Sequence, residues 1–283
     1  MEQKTYEELS RPLRPGSWEA RYWSALGRLL RAISPLSDGM RIGYRYGFDS
    51  GEMLDYVYRN QARGRWGVGR LLDRAHLNAI GWRGIRQRKI HLQRVVREAI
   101  LAQRVRHAPV HVADLASGPG RYLLELLQEQ GQLDLRVTCR DWDETGLAQG
   151  RALASSLGLT QARYERADAF DPDHLARLAP TPHIIIVSGL YELFPDNARI
   201  SRSLAGLAAR LKSGGMFVYT NQPFHPQLEL IARCLPNREG KPWAMRTRSQ
   251  DEMDSLVRDA GLHPRQRLID RWGIFTVSLA VKP

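Results

Sequence analysis

The residues best suited to chemistry lie in one short stretch, Asp114-Leu115-Ala116-Ser117-Gly118-Pro119-Gly120-Arg121. An apolar run ends there and a helical pattern opens, and small residues at 116, 118 and 120 let a ligand approach the backbone beside a helix N-terminus. That describes a pocket for a nucleotide-type cofactor. Asp141 ends the next apolar run 21 residues after Gly120, the usual distance for an acid that grips two ribose hydroxyls. Trp142 follows and could stack on a purine, and Ala167-Asp168-Ala169-Phe170 closes a third run. A dinucleotide fingerprint aligned on Gly118 and Gly120 requires Gly or Ala at 123 for close helix packing. Leu123 stands there, so a nicotinamide dinucleotide is disfavoured.

These residues must be positioned by elements, and the pattern supplies them. From Pro109 short apolar runs at 110–115, 135–140, 162–165, 183–188 and 216–221 alternate with helical stretches, which implies right-handed βαβ units and a parallel sheet. Two further runs, 265–269 and 274–280, are joined by four residues. Such a link turns a hairpin but cannot cross over, so these read as a closing antiparallel pair. The expected fold is α/β, a Rossmann-like seven-stranded, mostly parallel sheet with an antiparallel last strand. Before residue 109 the period is helical, with helices expected at 17–33, 51–60, 67–79 and 83–106. The expected domains are a helical N-terminal cap over 1–108 and a catalytic domain over 109–283.

The 283 residues carry a formal charge of +12, and residues 1–108 hold 21 basic against 10 acidic side chains while 109–283 hold 21 against 20. Of the 42 basic residues 37 are arginine, which suits bidentate contact to phosphate or carboxylate, although genome composition gives the same bias. Cys139 and Cys234 make neither a disulfide framework nor a zinc spacing, and the histidines are scattered, so no metal is expected and a reducing cytoplasm fits. Residues 1–16 are polar and the longest aliphatic run is Ile184-Ile185-Ile186-Val187. The expectation is therefore a chain neither exported by a standard signal nor integral to a membrane.

The pattern acidic-x-G-x-G-x-G is matched by Asp114, Gly118 and Gly120, with Ala116 for the first glycine. With the acids at 141 and 168, the segment Ser188-Gly189-Leu190-Tyr191-Glu192, the entry Leu211-Lys212-Ser213-Gly214-Gly215 and the terminal hairpin, the region 109–283 resembles a class I S-adenosylmethionine-dependent methyltransferase. A narrower likeness rests on Gly47-Phe48-Asp49-Ser50-Gly51, Asp55-Tyr56-Val57-Tyr58-Arg59-Asn60, Gly81-Trp82-Arg83-Gly84-Ile85-Arg86-Gln87-Arg88, 188–197 and Gln222-Pro223-Phe224-His225-Pro226-Gln227. These segments resemble a bacterial methyltransferase family often fused behind an α/β-hydrolase domain, and with no G-x-S-x-G elbow the chain resembles its stand-alone form. The resemblance implies S-adenosyl-L-methionine as cofactor. It places the methionine moiety at Asp114 and the backbone of Ala116, Ser117, Gly118 and Gly120, the ribose at Asp141, and the adenine at Asp168 and Ala169, with Trp142, Phe170, Ser188 and Gly189 nearby. Arg88, or its neighbours Arg83 and Arg86, would pair with the cofactor carboxylate or form a solvated face.

Methyl transfer is an in-line displacement, and a base is needed only for a protonated acceptor. Candidates are His225, equally readable as a packed histidine, and the Tyr191-Glu192 pair, of which Tyr191 could instead line the cofactor pocket. Tyr56 and Tyr58, as lid or core aromatics, and Gln222 are the candidate acceptor contacts. The expected acceptor is small or lipid-like and anionic. An RNA-directed enzyme using the basic N-terminal region and a non-catalytic S-adenosyl-ligand-binding protein are the alternatives. Nucleic acid is disfavoured, because no Asn/Asp-Pro-Pro-aromatic signature follows the fourth run and no Pro-Cys nucleophile is present. The 17–33 helix, basic and Trp-bearing, reads either as part of a cap or as a peripheral membrane contact that would put a cytoplasmic protein at a membrane surface. The oligomeric state is not legible.

Overall fold

A computed structural model describes residues 3–130 and 134–283. Its seven strands are β1 (Val110–Asp114), β2 (Leu135–Asp141), β3 (Ala162–Arg166), β4 (Ile184–Val187), β5 (Met216–Asn221), β6 (His263–Ile269) and β7 (Thr276–Val281). They form one sheet in the order β3-β2-β1-β4-β5-β7-β6. β1 to β5 run parallel, and β7 lies antiparallel to both β5 and β6. The seven-stranded, mostly parallel sheet with its reversed last strand is thus the one read from the sequence.

Successive side chains of a strand point to opposite faces, and the core follows this rule. Val112, Ile184, Ile186, Val218 and Leu279 belong to one buried cluster, while Ala113, Ile185, Val187, Phe217, Tyr219 and Ala280 belong to the other. A strand that is covered on both faces must be apolar at every position, and all four residues of β4 are buried. β1 sits between β2 and β4, so the strand order reverses at β1. The loops leaving the carboxyl ends of β1 and β4 diverge there, which opens the crevice where open α/β sheets take ligands.

The chain divides into two compact units that do not match the expected break at residue 108. The sheet unit comprises 88–223 and 248–283, and the helical unit the remaining described residues up to 87 with 224–247. Two physical causes account for the difference. The helix Ile80–Arg104 turns Leu92, Val95, Val96, Ala99 and Ile100 into the sheet core, so its larger part belongs with the strands. The segment 224–247 carries the helix Leu228–Cys234, whose Leu228, Ile231 and Ala232 are buried with Leu9 and Met245. An insertion after β5 therefore completes the helical unit, which the sequence reading had confined to the N-terminal region.

Within the helical unit the helices Trp18–Ile33, Asp38–Tyr46 and Gly51–Arg59 are capped by Ser17, Ser37 and Ser50, whose hydroxyls accept the orphan amides of Ala20, Met40 and Met53. Asp73, fully buried on the helix Trp66–Leu77, ties three of these segments together. It accepts from Ser37 Oγ at 2.6 Å, Gly39 N at 2.8 Å and Arg63 N at 2.7 Å, and from the Tyr56 hydroxyl. A buried carboxylate with four donors organises a core that aliphatic contacts alone would leave less specified.

Candidate active site

The loop after β1 is shaped by backbone rather than by bulk. Gly118 and Gly120 both have positive φ, 52° and 67°, a region that L side chains rarely enter. Ala116, Ser117 and Gly118 remain half-exposed while Pro119 and Gly120 are buried. The helix Glu144–Ser156 lies close against this loop because Gly150 carries no side chain. A Cβ there would stand 2.3 Å from Tyr164 Cε1 and 2.7 Å from Pro119 O. Tyr164 in turn donates to Pro119 O at 3.1 Å.

Asp114 lies fully buried at the end of β1. It accepts the Tyr122 hydroxyl at 2.6 Å and Ala116 N at 3.3 Å. Burial, with a smaller contribution from neighbouring Asp141, pushes its carboxyl up to about 7. Asp141 joins β2 to the glycine loop, since its Oδ2 accepts Gly118 N at 2.8 Å and its Oδ1 accepts Asp143 N at 2.9 Å. The helix Glu144–Ser156 is capped by Asp143, not Asp141, through bonds accepted from Thr145 N and Gly146 N. In the same way Asp171, not Asp168, caps the helix Pro172–Ala176. Asp168 accepts Phe170 N at 2.8 Å and stays half-exposed. Each ionised carboxylate oxygen accepts more than one hydrogen bond, so Asp141 and Asp168 keep capacity for ligand hydroxyl or amino groups.

The aromatic neighbours are already engaged. The Arg166 guanidinium lies 4.5 Å over the exposed ring of Trp142. Arg199 lies 4.2 Å over Phe170 and 4.3 Å over Phe194, and the two phenylalanines meet edge to face. Ala169 is buried, with its carbonyl accepting Ser203 Oγ at 2.7 Å.

The loop after β4 carries Ser188, half-buried, and Gly189, whose φ is 73°. Arg88, buried 16 residues before the end of its helix at Arg104, reaches this loop. Its guanidinium atoms stand 3.1 to 3.6 Å from the place a Cβ on Gly189 would occupy, and it lies 4.9 Å over the Phe275 ring. Glu192 is also buried, with Oε1 accepting the Thr220 hydroxyl at 2.6 Å while Thr220 Oγ1 accepts Gly189 N at 2.8 Å. Arg88 Nη1 stands 3.7 Å from Glu192 Oε1, and both Arg88 Nε and Glu192 Oε2 lack a hydrogen-bond partner.

Tyr191 takes a different place from the one expected of a catalytic group. It is buried in the sheet core, its hydroxyl is spent on Ser203 at 2.9 Å, and burial raises its pKa further above the ordinary phenol value. Sequence reading missed Arg248, which is fully buried and holds the whole β4 loop. Its guanidinium donates to Asn197 Oδ1 at 2.8 Å, Tyr191 O at 2.9 Å and Phe194 O at 2.5 Å. A lone arginine in an irregular segment gives no pattern by which to find it. Gln222 is buried after β5, and its carbonyl accepts Arg248 N at 3.4 Å.

Tyr56, Tyr58 and His225 belong to the helical unit. Tyr56 is buried and donates its hydroxyl to Asp73, and Tyr58 is half-buried on the same helix. His225 is buried, and desolvation lowers its pKa to about 4. Its Nδ1 accepts Gln227 N at 3.1 Å. The neutral ring therefore carries its proton on Nε2, so that nitrogen offers a donor and not the lone pair a general base requires. Among the described residues no group of three or more His, Cys, Asp or Glu side chains is placed to hold a metal ion.

The family model described as "Putative methyltransferase" matches residues 1–282. The protein YnbC of Escherichia coli (strain K12) is 46% identical over 273 residues, which are 96% of this chain and 46% of that protein. The chain thus spans about half the length of this relative. Among solved structures, the Bordetella parapertussis "possible exported protein" matches with a TM-score of 0.67 at 18% identity, covering 96% of this chain and all of that one. The magnesium protoporphyrin IX methyltransferase of Synechocystis PCC 6803, with S-adenosylhomocysteine bound, matches with a TM-score of 0.56 at 15% identity over 84% of this chain and 98% of that one. At such identities these two likenesses establish the fold. With the family match over nearly the whole chain, the protein belongs to this methyltransferase family, and its fold is the one shared with the Synechocystis enzyme.

Proposed function

We propose that the protein methylates a small or lipid-like, anionic acceptor, with the cofactor held by the loops after β1, β2 and β3 and the acceptor met at the loop after β4. In this reading Asp114 and the backbone from Ala116 to Gly120 hold the methionine moiety. Asp141 accepts the ribose hydroxyls, and Asp168 with Ala169 meets the adenine edge. The residues present fit such a group, because two left-handed glycines leave the loop backbone open and Arg88 has a donor to spare. S-adenosylmethionine supplies an electrophilic methyl on sulfonium when bound. The chain's own work is then to orient the acceptor, exclude water and manage one proton.

One observation carries the reading, the thinly bonded pair Arg88 and Glu192. A charge-assisted hydrogen bond closes at about 2.7–2.9 Å, whereas these groups stand 3.7 Å apart with Arg88 Nε and Glu192 Oε2 unused. Buried polar groups left unsatisfied are costly, which supports a carboxylate ligand on Arg88 and an acceptor proton or donor at Glu192 Oε2. Glu192 is thereby the candidate base where the acceptor is protonated, and Tyr191 and His225 have no part in proton removal. The formal charge of +12 supports an anionic acceptor through long-range steering.

The test follows labelled methyl from S-adenosylmethionine into fractions of an E. coli extract. Label is expected in the anionic small-molecule or lipid fraction, and Glu192→Gln is expected to lower that transfer about 10²-fold or more while leaving cofactor affinity nearly unchanged. Label in the RNA fraction contradicts the acceptor class, and full activity of the variant removes Glu192 from the chemistry.

A further inference from the structure

Two helices of the helical unit leave large apolar side chains in water. On Trp18–Ile33 no residue is buried, and Trp18, Tyr22 and Leu29 fall on one stripe opposite Gly27. The other side packs on Leu228–Cys234, where Cys234 Sγ donates to Trp23 O at 3.8 Å. On Trp66–Leu77, Val68 and Leu71 project opposite the buried Gly69, Asp73 and Leu77, and Trp66 stands at the first turn. Trp18 is 74% exposed, Trp66 79% and Leu71 71%. Trp66 also has φ of 55°, an uncommon backbone for a bulky residue.

The two helices meet at one turn, Ser34–Leu36. It directly follows the first helix, and Leu36 O accepts the amide of Arg65, the residue before the second. Charge is concentrated in the same two segments. Residues 11–37 hold five arginines against Glu19, and 59–74 hold five against Asp73, which is buried and consumed by its four donors. Arg21, Arg28, Arg65 and Arg70 are exposed and form none of the ion pairs found among the described residues of this unit.

We propose that these two helices dock the protein on an anionic phospholipid surface, the tryptophans and aliphatic side chains entering the headgroup boundary while the flanking arginines meet lipid phosphates. Charge complementarity selects this occupant. A second copy would bring like-charged arginines together. RNA would use the arginines and tryptophans but would leave Leu29, Val68 and Leu71 without a role. No helix among the described residues is long and apolar enough to cross a membrane, so the contact is interfacial.

The experiment is sedimentation of the full chain with vesicles of phosphatidylcholine alone or with roughly one third phosphatidylglycerol, with and without added salt. Binding is expected only to the anionic vesicles and should weaken as salt rises. Combining Trp18→Ser, Leu29→Ser and Trp66→Ser should lower the partition coefficient by about tenfold or more, with the circular dichroism spectrum and S-adenosylhomocysteine affinity retained as proof of fold. Failure to bind anionic vesicles, equal binding to neutral ones, or binding indifferent to the triple substitution overturns the proposal. So does light scattering that shows a dimer broken by the same substitutions, or an RNA complex that the substitutions weaken while vesicle binding persists. The measurement needs no turnover, so its failure leaves the methyl-transfer reading untouched.

Discussion

Asp114 shows most clearly how a single residue's environment sets its chemistry. Burial raises its carboxyl to about 7, so between the ordinary carboxylate range and that value the folded protein holds a proton the unfolded chain has released. Its contribution to stability accordingly declines as pH rises through that window. A cofactor whose methionine ammonium lies near Asp114 favours the ionised carboxylate. Affinity for S-adenosylhomocysteine should therefore rise between pH 6 and pH 8, by up to about tenfold per unit of pKa displaced, and Asp114→Asn should flatten that rise. An equally steep profile in the variant would assign the dependence to another group. The positions of Asp114 and Asp141 were legible because an acid ending a strand beside a glycine loop is a local pattern, and Asp168 was found as the acid two residues past β3. Tyr56, Tyr191 and His225 were legible as positions and not as roles, because a hydroxyl's or imidazole's use depends on partners such as Asp73, Ser203 and Gln227 N that only folding supplies.

At the scale of elements, the site depends on how closely the helix Glu144–Ser156 approaches the glycine loop. Gly150 allows that approach, since any side chain there collides with Tyr164 and Pro119 O. Gly150→Ala should destabilise the protein by about 1–3 kcal/mol and weaken S-adenosylhomocysteine binding, read by thermal melts and titration. A variant as stable and as tight-binding as the parent would show that the loop does not need the helix. Strand periodicity made β1 to β7 readable, with Met216–Asn221 matching to the residue. The helices Asp38–Tyr46 and Gln250–Asp259 were not anticipated. The first begins at a Ser cap and ends at Gly47 within nine residues, too short for a convincing apolar repeat. The helix spacing of Gly146 and Gly150, at i and i+4, was the available signal for the close approach.

For the whole molecule, the sheet and the loops that follow β1, β2 and β3 were legible because parallel βαβ order follows from alternating periods. The composition of the helical unit was not, because the apolar positions of Leu228, Ile231 and Ala232 say that a helix is buried but not which partners bury it; Leu9 and Met245 do so from far along the chain. In the proposed function the carboxyl ends of β1, β2 and β3 hold the cofactor, and isothermal titration of S-adenosylhomocysteine into the protein and its Asp141→Ala variant is the decisive measurement. Hydrogen bonds to a charged group contribute about 1.5–3 kcal/mol each. The parent should bind with about micromolar affinity and should not bind NAD(H), and a variant that keeps its fold should bind about tenfold or more weakly. Unchanged affinity in a folded Asp141→Ala protein, or NAD(H) binding in place of the S-adenosyl ligand, would contradict this proposal.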